Sequence, residues 1–295
     1  MTWTLLLQSA IAGTTNGFIY GLTGLGIAVI FRGTRVINAM QGDFALIAGV
    51  VAYLILNSFG SPLPLALFGG IVAGGAIGAL VERFLIRPID RLDGTEDRYL
   101  LVTLGGAFAV SGTVLLLFGH DTHSMPGIGG NRSVDIFDAT LSVHAIWLIT
   151  VSIAVVLFLG HFFARTYLGR SMMAASIDPE GAATTGIDVP LMRTLTFLIG
   201  GLIGGLAGVL IAPLVTLHYE IGLLLTLKGF AAAILGGLTK PFGAIIGGLI
   251  LGLVESLAVL MVSSGYKDVI AMAILIAIMI LLPGGLFSRR IRQGG

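Results

Sequence analysis

The sequence contains no cysteine. Disulfides, thiolate nucleophiles and cysteine-ligated metal centres are thereby excluded, and the redox compartment stays open. Charge is scarce as well. Only 11% of the 295 residues are Asp, Glu, Lys or Arg, against roughly 25% in an ordinary soluble domain. The space is filled by apolar residues, which make up 56% of the chain and give a mean hydropathy of +1.02. The longest polar interval, about two dozen residues, falls short of the roughly 50 that a soluble domain needs. These absences predict an all-α integral membrane protein with many spans.

Other signatures are missing too. There is no Gly-x-x-x-x-Gly-Lys-Ser/Thr and no Gly-Lys dipeptide, so the chain has no phosphate loop of its own. His-Glu-x-x-His and Gly-x-Ser-x-Gly are also absent. Neither an enzyme nor a cofactor bound to this chain is expected. His120, Asp121 and His123 offer a His-x-x-His spacing without a third and fourth ligand, so no metal site is expected. The net charge of +1 points to no partner, and nucleic acid is not expected as one. The N-terminus lacks the basic region of a signal peptide, so the first apolar run is expected to persist as a span.

A helix needs about 20 apolar residues to cross the hydrocarbon core. That length predicts nine spans: 8–31, 37–57, 63–86, 99–119, 143–164, 191–214, 222–238, 241–262 and 267–283. The seventh is short and Gly-bounded, and is expected to be broken or only partly crossing. With nine spans, 13 of the 16 basic residues fall on one side, from Arg32 and Arg35 through Arg83, Arg87, Arg91 and Arg98 to the C-terminal arginines. The opposite side holds Arg132 and Lys267, and Lys228 lies within the membrane. The positive-inside rule then places the N-terminus outside and the C-terminus in the cytoplasm. The expected organisation is one transmembrane domain over 1–288 and a basic cytoplasmic tail at 289–295. An external loop spans 119–142 with a hairpin-like patch around Ser133–Leu141, and a cytoplasmic loop spans 165–193.

Glycine is plentiful, at 44 residues, and is patterned. Gly13, Gly17 and Gly21 recur every four residues, as do Gly70, Gly74 and Gly78, then Gly200, Gly204 and Gly208. Such stripes let helix backbones approach closely. GIVAGGAIGALVE, ending at Glu82, matches GAIIGGLILGLVE, ending at Glu255. The two stretches would lie in spans of opposite direction, the pattern of an inverted transporter repeat.

Ionisable residues inside a membrane are costly and mark function or pairing. Lys228, Glu255 and Asp43 fall within predicted spans, with Asn38 and Gln41 near Asp43 and three residues apart, as if on one helix face. They line an aqueous path, or they are structural, Lys228 paired with a carboxylate and the amides tying broken helix ends together. The cytoplasmic loop carries a helix-start signature. Asp178 suits the cap, Pro179 the first position and Glu180 the positive end, and Gly186 suits the stop. Gly181 leaves open whether that helix starts at Pro179 or a turn later.

INAMQGDFALIAG at 37–49 resembles the Ile-Asn-x-x-x-Gly-Glu/Asp segment of the branched-chain amino acid permeases of ATP-binding-cassette importers. ERFLIRPIDR at 82–91 resembles their Glu-Arg-x-x-x-Arg-Pro link. The stretches 168–210, 228–255 and 266–287 are similar to their coupling region and last spans, closer to the H-type than the M-type subunit. The resemblance implies several things. The chain would be a permease subunit in the bacterial cytoplasmic (inner) membrane, forming part of a path for branched-chain amino acids or a related small polar or carboxylate solute. Its partners would be a second related permease subunit, two cytoplasmic ATP-binding subunits holding ATP and Mg, and an external solute-binding protein, all around the lipid bilayer. Ser176, Asp178, Pro179, Glu180, Thr184 and Gly186 would form the coupling helix region. Asn38, Gln41, Asp43, Lys228 and Glu255 are the candidate path residues. The competing reading is a stand-alone secondary transporter or channel using the intramembrane Lys, Asp and Glu.

Overall fold

The computed structural model describes residues 3–261 apart from 93, 131, 137 and 138, with a few positions beyond. The ninth predicted run, 267–283, falls largely outside the described residues, and the basic tail wholly so. The helices follow in the order α1 (Trp3–Thr34), α2 (Gln41–Asn57), α3 (Leu63–Val81), α4 (Arg87–Asp90), α5 (Glu96–Phe118), α6 (Val143–Arg165), α7 (Tyr167–Ile177), α8 (Pro179–Thr184), α9 (Val189–Ile211), α10 (Ile221–Gly236) and α11 (Pro241–Met261). A π turn, Glu82–Ile86, joins α3 to α4. Strands β1 (Ser133–Ile136) and β2 (Ala139–Ser142) form an antiparallel hairpin where the hairpin-like patch is expected, pairing Ser133 with Ser142.

Six of these helices are long and apolar enough to cross a membrane: α1, α3 continued to Asp90, α5, α6, α9 and α11. The chain is an integral membrane protein. Two further apolar helices are short, α2 with 17 residues and α10 with 16. The shortness of α10 is legible in the sequence, whereas that of α2 is not. The predicted second span begins at 37, yet the helix begins at Gln41, because residues 35–38 form an irregular link that Asn38 closes by accepting from the Met40 amide at 3.0 Å. Asn38 therefore does not share a helix face with Gln41. The predicted third span ends at 86, but the helix continues through the π turn to Asp90.

The centre of the bundle is the antiparallel pair α1 and α9, with Gly33 backing onto Thr196 and Gly200 onto Ile30. On α1 pack α10 and α11, and on α9 pack α2 and α3. The glycine stripes are where these helices nearly touch. A methyl group on Gly17 would lie 2.7 Å from the Leu249 Cα, and one on Gly74 would lie 2.7 Å from the Gly201 carbonyl oxygen. The matched stretches are placed alike at two of their three shared glycines, the third pair differing, with Gly74 against Gly201 and Gly205 of α9 and Gly247 against Ala232 and Gly236 of α10. Gly70 faces Ala48 and Ala52 of α2, while Gly243 faces Gly236 of α10. Gly75 faces Leu198 and Leu202 of α9, while Gly248 faces Gly17 and Gly21 of α1. The helices that carry the two copies run in opposite directions, α11 antiparallel to α1 and α3 antiparallel to α9.

One end of the bundle is basic. Arg32, Arg35, Arg87, Arg91, Arg193 and Lys240 gather there, near the C-terminus of α1 and the N-terminus of α9. The other end carries the hairpin and a bridge between His123 and Leu217, whose backbones exchange hydrogen bonds of 3.0 and 2.7 Å. The apolar residues on the outside, such as Leu101, Phe108 and Leu116 of α5, form a surface suited to acyl chains.

Candidate functional site

Helices α2 and α10 meet end to end in the middle of the bundle. Gly200, the carbonyl partner of the Gln41 side-chain amide at 2.9 Å, is the twelfth of the 23 residues of α9. By the helical rise that is roughly 16 Å along an axis of roughly 34 Å. Helix α2 thus starts at mid-depth and runs away from the basic end, where Gly49 reaches Ala212 and Leu217. Helix α10 starts beside it and runs the opposite way, to Gly236 against Gly243. The first turns are locked together. The Gly42 amide donates to Thr226 Oγ1 at 2.8 Å, and the Asp43 carboxylate lies over Gly222. Glycine is required at both places, because a side chain at Gly42 would collide with the Gly222 carbonyl and one at Gly222 with Asp43.

This junction concentrates unusual electrostatics. Two helix N-termini, each carrying about half a positive charge, converge on one carboxylate. Asp43 is fully buried, and neither of its carboxylate oxygens has a hydrogen-bond partner among the described residues. Gln41 Oε1 and Asn38 Nδ2 are likewise buried and unpartnered. The amide of Gln41 fills a slot that Gly26 and Gly204 leave open. Buried polar groups normally find partners, because each orphan costs about 1–3 kcal/mol. Three residues with orphaned atoms at one junction make a polar site with unused capacity.

Lys228 and Glu255 lie apart from this group. Lys228 sits two residues beyond Thr226, on the side of α10 turned to α1 and α11. Its Nζ is 3.0 Å from Glu255 Oε1 and 3.2 Å from the Tyr20 hydroxyl. The ammonium also lies 5.1 Å from the centre of the Tyr20 ring. Side-chain exposure is 8% for Lys228 and 0% for Glu255, so the pair is an internal brace joining three helices. Of the five candidate path residues, the structure brings Gln41 and Asp43 together with Asn38 just ahead of them, and pairs Lys228 with Glu255. Thr226 and Tyr20 have no signal in the sequence beyond lying near residues already singled out.

At the basic end, α8 starts at Pro179. Asp178 caps it, its Oδ1 accepting from the Gly181 amide at 2.9 Å. A side chain at 181 would press on that carboxylate, which can turn aside and still cap, since helix starts carry side chains at this position. The helix stops after Thr184 in a paired closure, with Ile187 N–H on the Ala182 carbonyl at 3.1 Å and Gly186 N–H on Ala183 at 3.0 Å. Gly186 takes φ +85°, a left-handed conformation that favours glycine. Asp178, Pro179, Glu180, Thr184 and Gly186 are all exposed, and Ala182 alone anchors the helix in the core. Ser176 differs from them. Its hydroxyl turns inward to the Arg32 carbonyl at 2.8 Å and fastens α7 to α1.

Helix α9 joins the two regions. Asp188 caps it through the Leu191 amide at 3.0 Å. Arg193 pairs with Asp90, which also accepts from the Tyr99 hydroxyl at 2.7 Å. Thr194 donates to the buried Glu82 at 2.7 Å, and Arg87 pairs with the same carboxylate at 3.2 Å. From this braced start α9 runs to Gly200, where it holds Gln41.

An all-helical bundle of membrane-crossing length, split at mid-depth by two short helices of opposite direction, is the build of a membrane transport protein. The family described as "Branched-chain amino acid transport system / permease component" matches residues 9–279. The chain belongs to that family. It is 30% identical, over 96% of both chains, to the high-affinity branched-chain amino acid transport system permease protein LivH of Escherichia coli K12. It is 27% identical, again over 96% of both, to the permease protein BraD of the corresponding system of Pseudomonas aeruginosa. The D-allose transport system permease protein AlsC of Escherichia coli K12 is 29% identical over 87% of this chain and 77% of its own length.

Proposed function

We propose that the chain is the permease subunit of an ATP-driven importer in a bacterial cytoplasmic (inner) membrane. Its cargo class is the branched-chain amino acids or a related small polar or carboxylate solute. It works beside a second related permease subunit, with two cytoplasmic ATP-binding subunits that hold ATP and Mg and an external protein that delivers solute. The observation that carries this reading is the junction of α2 and α10. Two positive helix ends and an unpartnered carboxylate at mid-depth suit a solute bearing both an ammonium and a carboxylate group. Asn38, Gln41 and Asp43 contact the solute there, while Lys228 and Glu255 hold the surrounding helices.

The basic end is the cytoplasmic one, in keeping with the positive-inside rule, and the tail at 289–295 lies on the same side. Helix α8 is the exposed coupling element that an ATPase subunit grips. ATPase closure favours one conformation of the permease only by contacting it better, and α8 supplies a contact surface fixed to α9.

The test is purification of the tagged chain from a host that also expresses the neighbouring transport genes. Two ATPase subunits are expected to copurify, and reconstituted uptake is expected to require both ATP and the solute-binding protein. Uptake by the purified chain alone, driven by an ion gradient, overturns the proposal in favour of a secondary transporter. The mutual pairing of Lys228 and Glu255 counts against that alternative, since a relay group must be able to exchange partners.

A further inference from the structure

At the basic end, α1, α6 and α11 leave a furrow of about 230 Å³. Leu159, Gly160 and Phe163 of α6 and Phe242 of α11 give it apolar walls, and Arg32 and Lys240 give it charge. It opens outward. Phe242 is 59% exposed, and α6 presents Leu157 and Phe158 beside it, the surface on which acyl chains lie. Its volume is below the roughly 300–1,000 Å³ of sites that enclose a drug-sized molecule. A second cleft of about 190 Å³ adjoins it through Arg32 and is lined by Arg35, Ser176 and Thr239 together with Met173 and Ile177.

Arg32 lacks an acid. Its guanidinium carbon stands 5.3 Å from the centre of the Phe163 ring, and Nη2 lies 3.4 Å from the Met173 sulfur. Among the described residues no carboxylate lies within ion-pair distance of it, although Arg87, Arg193 and Lys228 all have one. A half-buried guanidinium held by a ring and a thioether has hydrogen-bond donors to spare. Lys240 adds a second cation in the turn before α11. An anion that pairs with Arg32 beside Lys240 while filling an apolar, outward-facing furrow must itself be amphiphilic.

We infer that this furrow binds an anionic phospholipid. The phosphate lies against Arg32 and Lys240, and an acyl chain lies along Gly160 and Phe242 between α6 and α11. The guanidinium fork matches two phosphate oxygens at once, and basic pockets between membrane helices hold acidic headgroups in this way. The lipid touches the coupling region as well. The Arg32 carbonyl is the acceptor for Ser176 at the end of α7, one residue before the link to α8. Free phosphate would pair with Arg32 and leave the furrow exposed, and a neutral lipid would do the reverse.

Native mass spectrometry of the purified full-length protein with dioleoyl phosphatidylglycerol and dioleoyl phosphatidylcholine in equal amounts tests the inference. The wild type is expected to retain phosphatidylglycerol at least about tenfold better, a difference of about 1.4 kcal/mol. R32Q/K240Q is expected to bind the two lipids equally. Gly160→Leu supplies an independent arm, since nothing lies within 4 Å of a Cβ at that position. It fills the furrow with both cations in place and is expected to lose the lipid. Inorganic phosphate is expected not to displace it. Equal retention of both lipids by the wild type, an undiminished preference in either variant, or displacement by phosphate alone overturns the inference.

Discussion

Gln41 and Gly200, 159 positions apart, are joined by a 2.9 Å hydrogen bond from side-chain amide to backbone carbonyl, at half the height of α9. Because α9 starts four residues after α8, this bond is where a displacement of the exposed α8, the proposed coupling element, would reach the polar junction. Gln41→Ala removes it at a net cost of about 1 kcal/mol. The folded complex is expected to survive that loss. Uptake is expected to fall about tenfold, further than the small change in thermal midpoint would explain, while ATP hydrolysis persists. Equal losses of uptake and of folded protein would mean the bond is merely structural.

Asp178→Ala removes a cap of about 1 kcal/mol from a helix of six residues. A helix so short has no stability of its own to fall back on. The expected outcome is a complex that assembles and hydrolyses ATP but moves several-fold less solute per ATP. Gly181→Ala is expected to keep the cap, because the carboxylate can turn aside from a methyl at the third helical position, and to move solute like the wild type. Measuring uptake and phosphate release on the same proteoliposomes checks both variants.

Lys228→Met leaves the Glu255 carboxylate buried without its cation, a change of about 3–5 kcal/mol in the folded state. The yield of monodisperse complex in size-exclusion chromatography is expected to collapse. Lys228→Met combined with Glu255→Leu is expected to restore much of it, because a well-packed apolar pair replaces a buried ion pair at little net cost. A full yield of monodisperse Lys228→Met complex with uptake lost would reassign Lys228 to the path.

Gly74→Leu forces α3 off α9, since even a methyl there meets the backbone of Gly201 and Gly205. Overpacking costs about 1–3 kcal/mol even where the surroundings can yield, and two facing backbones cannot. No folded protein is expected. Gly112→Leu on α5, with nothing within 4 Å of its Cβ, is expected to fold normally in the same assay.

The membrane class, the long spans, the glycine contacts and the caps of α8 were legible because each rests on local chemistry. Apolar length, four-residue spacing and Asp-Pro-Glu are properties of a few neighbouring residues. The junction was not legible as a junction. Asn38, Gln41 and Asp43 stand out by polarity, but that α2 begins at mid-depth depends on an irregular link at 35–38 and on a slot made by Gly26 and Gly204 from distant helices. Hydropathy alone extends the span back to 37, since Ile37, Ala39 and Met40 are apolar although not helical. The partner of Lys228 could be named by type but not by position, because Glu255 and Tyr20 reach it only through tertiary packing.

The π turn at Glu82–Ile86 carries a final consequence. Its backbone bond runs from the Arg87 amide to the Glu82 carbonyl, and the side chains of the same two residues pair, five positions apart. In a regular α-helix, side-chain partners are three or four positions apart. The extra residue in the loop of the helix is thus what permits the spacing Glu-Arg-x-x-x-Arg. Deleting one residue between the two would return the turn to a regular α-helix and set Glu82 and Arg87 four positions apart, a spacing at which the pair can still form. The spacing Glu-Arg-x-x-x-Arg is therefore matched to a π turn, and a chain one residue shorter here could make the same brace on α9 from a regular helix.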